Sequence, residues 1–375
     1  MASNANKQVV IFGGGVAGVQ LAKNLSKDVR VTLVDQNDYF EIPMAAPRCL
    51  VKPEFAEQSI IPYAQALPGV ELVQGRLMEM STAGGEVQLG AGRKVTISGD
   101  VYVLATGSLY ANALMRSFGV ASRERKGLYR RYHDTIQAAR SILIIGGGPI
   151  GAEVAGEISE VYPDKSLTLL EVGPRLLAGT SEHAAQHAAA VLSSRGVSIL
   201  LGEKLESSTT SIEDIFAGKG EATTSGGRKL AYDLLIWCAG GRPNTAYMKA
   251  QLGKALDGRN RIKVGPDLRV KGYDRIFAVG DITDLDENKM AWHITGQVNV
   301  AAKNIRRVLR GGGQLATLAA YRPQTGNPKM AVTLGSRQGV VHLPPFGVIR
   351  SPFFTRKAKA EHMLVPKYRK VLRVD

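Results

Sequence analysis

Two stretches of this chain follow one plan, and that duplication restricts its folding more than any other feature. In the first, an apolar run from Val9 to Phe12 ends in Gly13-Gly14-Gly15-Val16-Ala17-Gly18, and a second run, Val29 to Val34, ends in Asp35. In the other, Ile142 to Ile145 ends in Gly146-Gly147-Gly148-Pro149-Ile150-Gly151, and Leu167 to Leu170 ends in Glu171. Short apolar runs bounded by glycine read as strands buried on both faces, so each unit is strand, glycine turn, helix, strand. The spacing Gly-x-Gly-x-x-Gly suits a dinucleotide pyrophosphate. Two glycines let the backbone turn tightly and approach the phosphates, and the third lets helix pack on strand. The helix N-terminus then faces the anion with free N–H groups. Asp35, twenty residues after Gly15, is placed to accept hydrogen bonds from ribose hydroxyls. Glu171 plays the same part twenty-three residues after Gly148, with Tyr162-Pro163-Asp164 accounting for the excess. An acid there favours the free 2′-hydroxyl of NADH over the 2′-phosphate of NADPH, a preference that Arg175 is placed to blunt.

The rest of the chain fits around these units. Asp100 to Leu104 runs as a buried strand into Ala105-Thr106-Gly107, and Tyr232 to Gly240 repeats that strand-into-glycine pattern before the chain returns to the first unit. Arg275 to Asp281 is a short strand ending in Gly-Asp, by itself an ordinary turn, and Met290 to Leu309 has a helical pattern whose first turn lies beside Asp281. The stretch Gln36 to Arg48 shows neither period and reads as a long functional connection. Its Arg48 reads equally as a surface arginine or as a partner of cofactor phosphate or ring. Val70 to Glu79, Glu86 to Leu89 and Lys94 to Ser98 read as a small meander, and Val332 to Val341 as glycine-broken strand. The fold expected is α/β, with two Rossmann-like dinucleotide-binding domains and a small α+β C-terminal domain. Residues 1–111 and 241–306 form the first dinucleotide domain, 112–240 the second, and 307–375 a basic C-terminal domain.

The formal net charge is +15, and fifteen Lys/Arg against Glu361 and Asp375 put +13 of it between Ala301 and Asp375. Such asymmetry points to an anionic surface, membrane or nucleic acid, or to a merely solvated basic face. No apolar run approaches the roughly 20 residues of a membrane-spanning helix, and no secretory signal precedes Gln8. Only Cys49 and Cys238 occur, without C-x-x-C spacing, so neither a disulfide framework nor a zinc site is expected, and a reducing, cytoplasmic setting fits. His183 and His187 stand four apart on an expected helix with no further ligand, and no metal is expected.

Both fingerprints with their acids, Ala105-Thr106-Gly107 and Ala278-Val279-Gly280-Asp281 occur in the order typical of two-dinucleotide-domain flavoprotein reductases. Within these the chain most resembles the apoptosis-inducing-factor-2 and ferroptosis-suppressor type, quinone reductases related to type II NADH dehydrogenases. Ala45-Ala46-Pro47-Arg48 and Lys289-Met290-Ala291 share in the likeness. It implies FAD on the first unit, with Asp281 on the ribityl or pyrophosphate, Arg48 near the flavin, and Met290 and Ala291 opening a helix toward it. It places NADH or NADPH on the second unit with Glu153 near the nicotinamide, and it implies a C-terminal lysine important for activity, best matched by Lys370. A quinone such as ubiquinone or a vitamin K-type quinone is the implied acceptor, and the state monomer or homodimer. Mammalian members carry a myristoylated glycine after the initiator Met, whereas Met1-Ala2-Ser3 has none. Membrane contact, whether at the mitochondrial outer face, a lipid droplet or the plasma membrane, is therefore expected to fall to the C-terminal segment. There Arg350, Arg356, Lys357, Lys359, Lys367, Arg369, Lys370 and Arg373 interleave with Phe346, Phe353, Phe354, Met363, Leu364 and Tyr368. No cysteine pair lies in the first unit's helix, so a dithiol relay is excluded. Two rival readings remain: a single-cysteine disulfide reductase using Cys49, and a nucleic-acid-binding or apoptosis-signalling protein with a structural flavin.

Overall fold

In the computed structural model, which describes residues 6–211, 213, 218–311, 318–325, 329–343 and 346–374, the two fingerprints build two separate parallel sheets. The first has the order Ile276–Ala278, Val101–Leu104, Gln8–Phe12, Arg30–Asp35, Glu71–Gln74. Every neighbouring pair is parallel, and Val9, Val10, Ile11 and Phe12 at its centre are fully buried. Each such side chain stabilises the fold by roughly 1.5–3 kcal/mol, which is why the central strand reads as an unbroken apolar run. The helix Val16–Leu25 follows it and packs against the helix Ala291–Leu309.

The second sheet has the order Ser198–Leu201, Ser166–Glu171, Ser141–Ile145, Leu234–Trp237, again parallel throughout. The chain crosses between the sheets on a two-stranded link in which Ser108 faces Pro243 and Leu109 faces Arg242. These are two Rossmann-like dinucleotide-binding units.

Beyond them, Met330–Leu334, Gln338–Leu343 and Gly347–Ile349 form an antiparallel sheet. It lies on the helix Pro149–Val161, at a spot where Gly156 is required: a Cβ there would stand 2.5 Å from the Leu334 Cα. The same helix carries three acids at helical spacing, two of them turned toward this layer and Glu157 toward the connection after Asp35. Glu153 accepts from the Thr333 N–H at 3.0 Å, Glu157 from Arg48, and Glu160 from the Ser336 N–H at 2.8 Å.

The connection after Asp35 is not the irregular loop its sequence suggests. Tyr39–Glu41 pairs with Ile60–Pro62, and between them run single turns over Pro43–Ala45, Ala46–Cys49, Pro53–Phe55 and Ala56–Ser59. Pieces this short show no period, and burial of Ile42, Cys49 and Leu50 orders them instead. Val70 to Glu79 likewise divides. Glu71–Gln74 joins the first parallel sheet and Arg76–Met80 begins the meander with Gly85–Gln88 and Lys94–Ile97, the break falling at Gly75, whose N–H donates to the Asp35 carbonyl at 2.8 Å.

Candidate functional site

Two connected cavities follow the C-terminal edge of the first sheet, and both glycine turns were built to face open space. The helix Val16–Leu25 begins at Gly15 and the helix Pro149–Val161 at Gly148, with neither start capped by a side chain and no acid in either first turn. Their free N–H groups are anion-binding ends. In each turn the last glycine is packed shut, because a Cβ on Gly18 would stand 1.8 Å from the Gly13 carbonyl oxygen and one on Gly151 equally close to that of Gly146. The middle positions are the opposite: around Gly148 nothing lies within 4 Å, and Gly15 meets only Arg116 Nη1 at 3.2 Å. Gly13 and Gly146 take φ of +104° and +103°, as the turn demands. A pyrophosphate fits both turns.

The acids close each turn from beneath. Asp35 Oδ2 accepts from the Gly14 N–H at 2.6 Å and its Oδ1 from the Asn37 N–H at 2.9 Å. Glu171 takes the Gly147 and Gly173 N–H groups at 2.5 and 2.7 Å. Arg116, which the sequence did not single out, reaches Asp35 at 3.1 Å, lines both cavities and lies over the Phe118 ring. Its guanidinium supplies a positive charge where the first turn's anion would sit. A lone arginine in an irregular stretch carries no spacing signal, so only the fold reveals it.

One cavity is lined by Gly14, Gly15, Val16 and Ala17 of the first turn, by Ala105 and Gly107, and by Asp281 and Ala291. Gly13, Asp35 and Thr106 line the second cavity. Thr106 is tied there to Asn244 and Tyr247 at 2.6 and 2.9 Å. Met290 caps the helix whose Ala291 and Ile294 face the cleft. Burial raises the Asp281 carboxyl above its usual range against the Ser108 hydroxyl at 3.1 Å, and burial lowers Lys289 beside it. Ile150 and Glu153 reach into the same cavity from the second unit, so the two dinucleotide sites meet there. Gly146, Gly148, Pro149, Gly151 and Glu171 gather at the edge of the second sheet, with Gly240 closing its last strand beyond Ala239, the neighbour of Gly146.

Two expectations fail on geometry. Arg48 does not line the cleft: it is buried in a bidentate pair with Glu157, at 2.5 and 2.8 Å, and donates to the Ala360 carbonyl at 2.8 Å. Burial nevertheless raises the Glu157 carboxyl. Lys370, the candidate activity lysine, is exposed on the helix Val365–Leu372 and lines neither cavity. The lysine at Glu153 is Lys359, buried, bonded to its carboxylate and to the Ala331 carbonyl at 3.0 Å. Lys359 therefore leaves the set of lipid-facing cations, and Met363 and Tyr368 leave the aromatic face, since both are buried. Phe346, Phe353 and Phe354 stay exposed.

Neither cysteine is a nucleophile in waiting. Burial pushes both thiols up to about 12, and Cys49 Sγ has only the Ser59 hydroxyl, at 3.5 Å. No cluster of His, Cys, Asp and Glu among the described residues has the arrangement of a metal site, and none of their helices is long and apolar enough to cross a membrane.

Residues 7–305 match the pyridine nucleotide-disulphide oxidoreductase family. The chain is 29% identical to apoptosis-inducing factor homolog A of Dictyostelium discoideum, over 96% of this chain and 91% of that one. It is 29% identical to ferroptosis suppressor protein 1 of Mus musculus, over 97% and 95%. Its fold superposes with a TM-score of 0.71 on the sulfide:quinone oxidoreductase of Aquifex aeolicus, at 17% identity over 97% of this chain and 92% of that one. With FAD and NAD(P)H as its cofactors, the chain belongs to the pyridine nucleotide-disulphide oxidoreductase family as an NAD(P)H-dependent flavin oxidoreductase.

Proposed function

We propose that this protein reduces a quinone with electrons from NADH, without a thiol between flavin and acceptor. The observation that carries the reading is the state of the two cysteines: Cys49 is buried and Cys238 half-buried at the end of the second unit's last strand, and the desolvated surroundings push both thiols up to about 12, so neither supplies the thiolate that a disulfide-reducing member needs. A flat acceptor that takes electrons directly suits such a cleft. The name of the Aquifex aeolicus neighbour, sulfide:quinone oxidoreductase, agrees with it. FAD held in the cleft would supply the redox chemistry, hydride acceptance and electron release.

The residues hold and orient. Gly15 with Arg116 and Gly148 seat the two pyrophosphates, and Asp35 and Glu171 select the riboses. The N-terminus of the helix Ala291–Leu309 faces the cleft as a positive dipole end, suited to negative charge developing on the reduced ring. Glu153 faces the nicotinamide side of the cavity, and Lys359 with the Thr333 N–H fixes its carboxylate. Arg48 and Glu157 join the first unit to the second rather than touching the ring.

The quinone is taken from an anionic membrane surface by the C-terminal region. Phe346, Phe353 and Phe354 are exposed among basic residues, and exposed Trp292 has the Lys329 and Lys367 ammonium groups 5.9 and 5.5 Å from its ring centre. Steady-state rates of NADH oxidation against a panel of quinones, beside disulfides as acceptors, test the reading. Quinones should support turnover and disulfides should not; turnover with a disulfide alone would refute it.

A further inference from the structure

The segment from Ser351 to Glu361 has an outer and an inner face. Outside, Phe353 is 73% exposed and Phe354 39%, and Phe346, just before the last strand, is 80% exposed. Inside, Thr355, Lys359 and Ala360 are buried; Lys359 holds Glu153, and the Ala360 carbonyl accepts from Arg48. Between the faces runs one wide π turn, closed by the Glu361 N–H on the Arg356 carbonyl at 3.0 Å, a geometry that recurs at functional positions.

Three features set this seat apart. The Thr355 hydroxyl is buried without a hydrogen-bond partner. Just beyond, Met363 and Leu364 take φ of +49° and +61°, a left-handed region that side-chain-bearing residues avoid. Large apolar rings face water on the other side. Arg350, Lys367 and Lys370 of the same C-terminal region are exposed too, while Arg356 and Lys357 share Glu361, the one acid of this region among the described residues. Rings framed by cations fit the headgroup zone of an anionic bilayer.

We propose that an anionic bilayer seated on Phe346, Phe353 and Phe354 steadies the Ser351–Ala360 segment and thereby holds Lys359 on Glu153, so that membrane contact accelerates reduction by NADH. The inference rests on the membrane reading above and adds a consequence for the nicotinamide end of the cleft. A surface shifts an equilibrium only by binding its two states differently. With Thr355 turned inward both rings point out together and bury in lipid together; with the segment released the rings separate and Glu153 keeps only Thr333. Lipid contact therefore favours the seated state.

The test uses the FAD-loaded protein and NADH without any quinone, which removes lipid's role as a reservoir of acceptor. Anaerobic bleaching is followed with phosphatidylserine-containing vesicles, with phosphatidylcholine vesicles, and with none, alongside flotation and amide exchange over residues 351–363. Phosphatidylserine at low salt should speed bleaching severalfold and slow exchange in that segment. The Phe353→Ser, Phe354→Ser double variant should bleach at the lipid-free rate and ignore vesicles. Wild-type protein that floats with vesicles but bleaches and exchanges unchanged overturns the coupling while leaving the membrane reading intact. Failure to float removes both, and so does a dimer in solution that buries these phenylalanines.

Discussion

On the proposed reading, Glu171 is the residue that would decide between the two nicotinamide cofactors, because its carboxylate supports the second glycine turn from the end of the neighbouring strand. Both oxygens are engaged by the Gly147 and Gly173 N–H groups, which fixes the charge in place. The preference for NADH over NADPH should be worth roughly 1–3 kcal/mol, the scale of one buried charged hydrogen bond. Glu171→Ala should narrow the ratio of kcat/KM values and raise the KM for NADH, since the turn loses its support. Arg175 donates to the Thr180 carbonyl at 3.1 Å, so it starts out committed elsewhere. A wild type that prefers NADPH would show that it has turned to the phosphate. The cysteines give a second residue-scale expectation. With both thiols pushed up to about 12, roughly one in ten thousand is ionised at pH 8, and burial shields Cys49 as well. Thiol reagents should label the native protein far more slowly than the urea-unfolded chain, and rapid native labelling would contradict the buried assignment. Asp35 and Glu171 were legible because their partners lie within one strand-helix-strand unit. Lys359 was not, since 206 residues separate it from Glu153 and only the docking of the C-terminal sheet brings them together. Arg48 misled for the same reason: its carboxylate lies 109 residues away.

At the scale of the element, each glycine turn divides its work among its glycines. Gly18→Ala and Gly151→Ala put a methyl 1.8 Å from a carbonyl oxygen, so helix and turn must part at a cost of at least about 1–3 kcal/mol. Gly148→Ala meets nothing within 4 Å in the protein. It should therefore keep the thermal stability of the wild type while raising the KM for NADH, because the added methyl intrudes only on the bound pyrophosphate. Equal melting losses for Gly148→Ala and Gly151→Ala would refute this division. Spacing alone exposed both turns, both parallel sheets and the helix after Met290. It could not expose the turns between Pro43 and Ser59, which are shorter than any period, nor the wide turn at Arg356, where one extra residue moves Lys359 inward.

Across the whole molecule, the helix Pro149–Val161 is the shared wall. Its start is an uncapped, anion-binding end, Glu153 enters the cavity that holds the first unit's glycine turn, and Glu157 and Glu160 bind Arg48 and the C-terminal hairpin. The excess of +13 in the last fifth of the chain announced a special surface, but not which of its charges point outward. Folding settles that, by sending Lys359 inside and leaving the phenylalanines out. The central claim is that electrons pass from NADH through the flavin to a quinone with no thiol between. Its most direct test is an anaerobic two-step experiment on wild type and on the Cys49→Ser, Cys238→Ser double variant, in which NADH is mixed first and a quinone second. Both proteins should lose their visible flavin band on NADH and recover it on quinone at equal rates. A band that NADH leaves unchanged, or a recovery that disappears with the cysteines, would contradict the account.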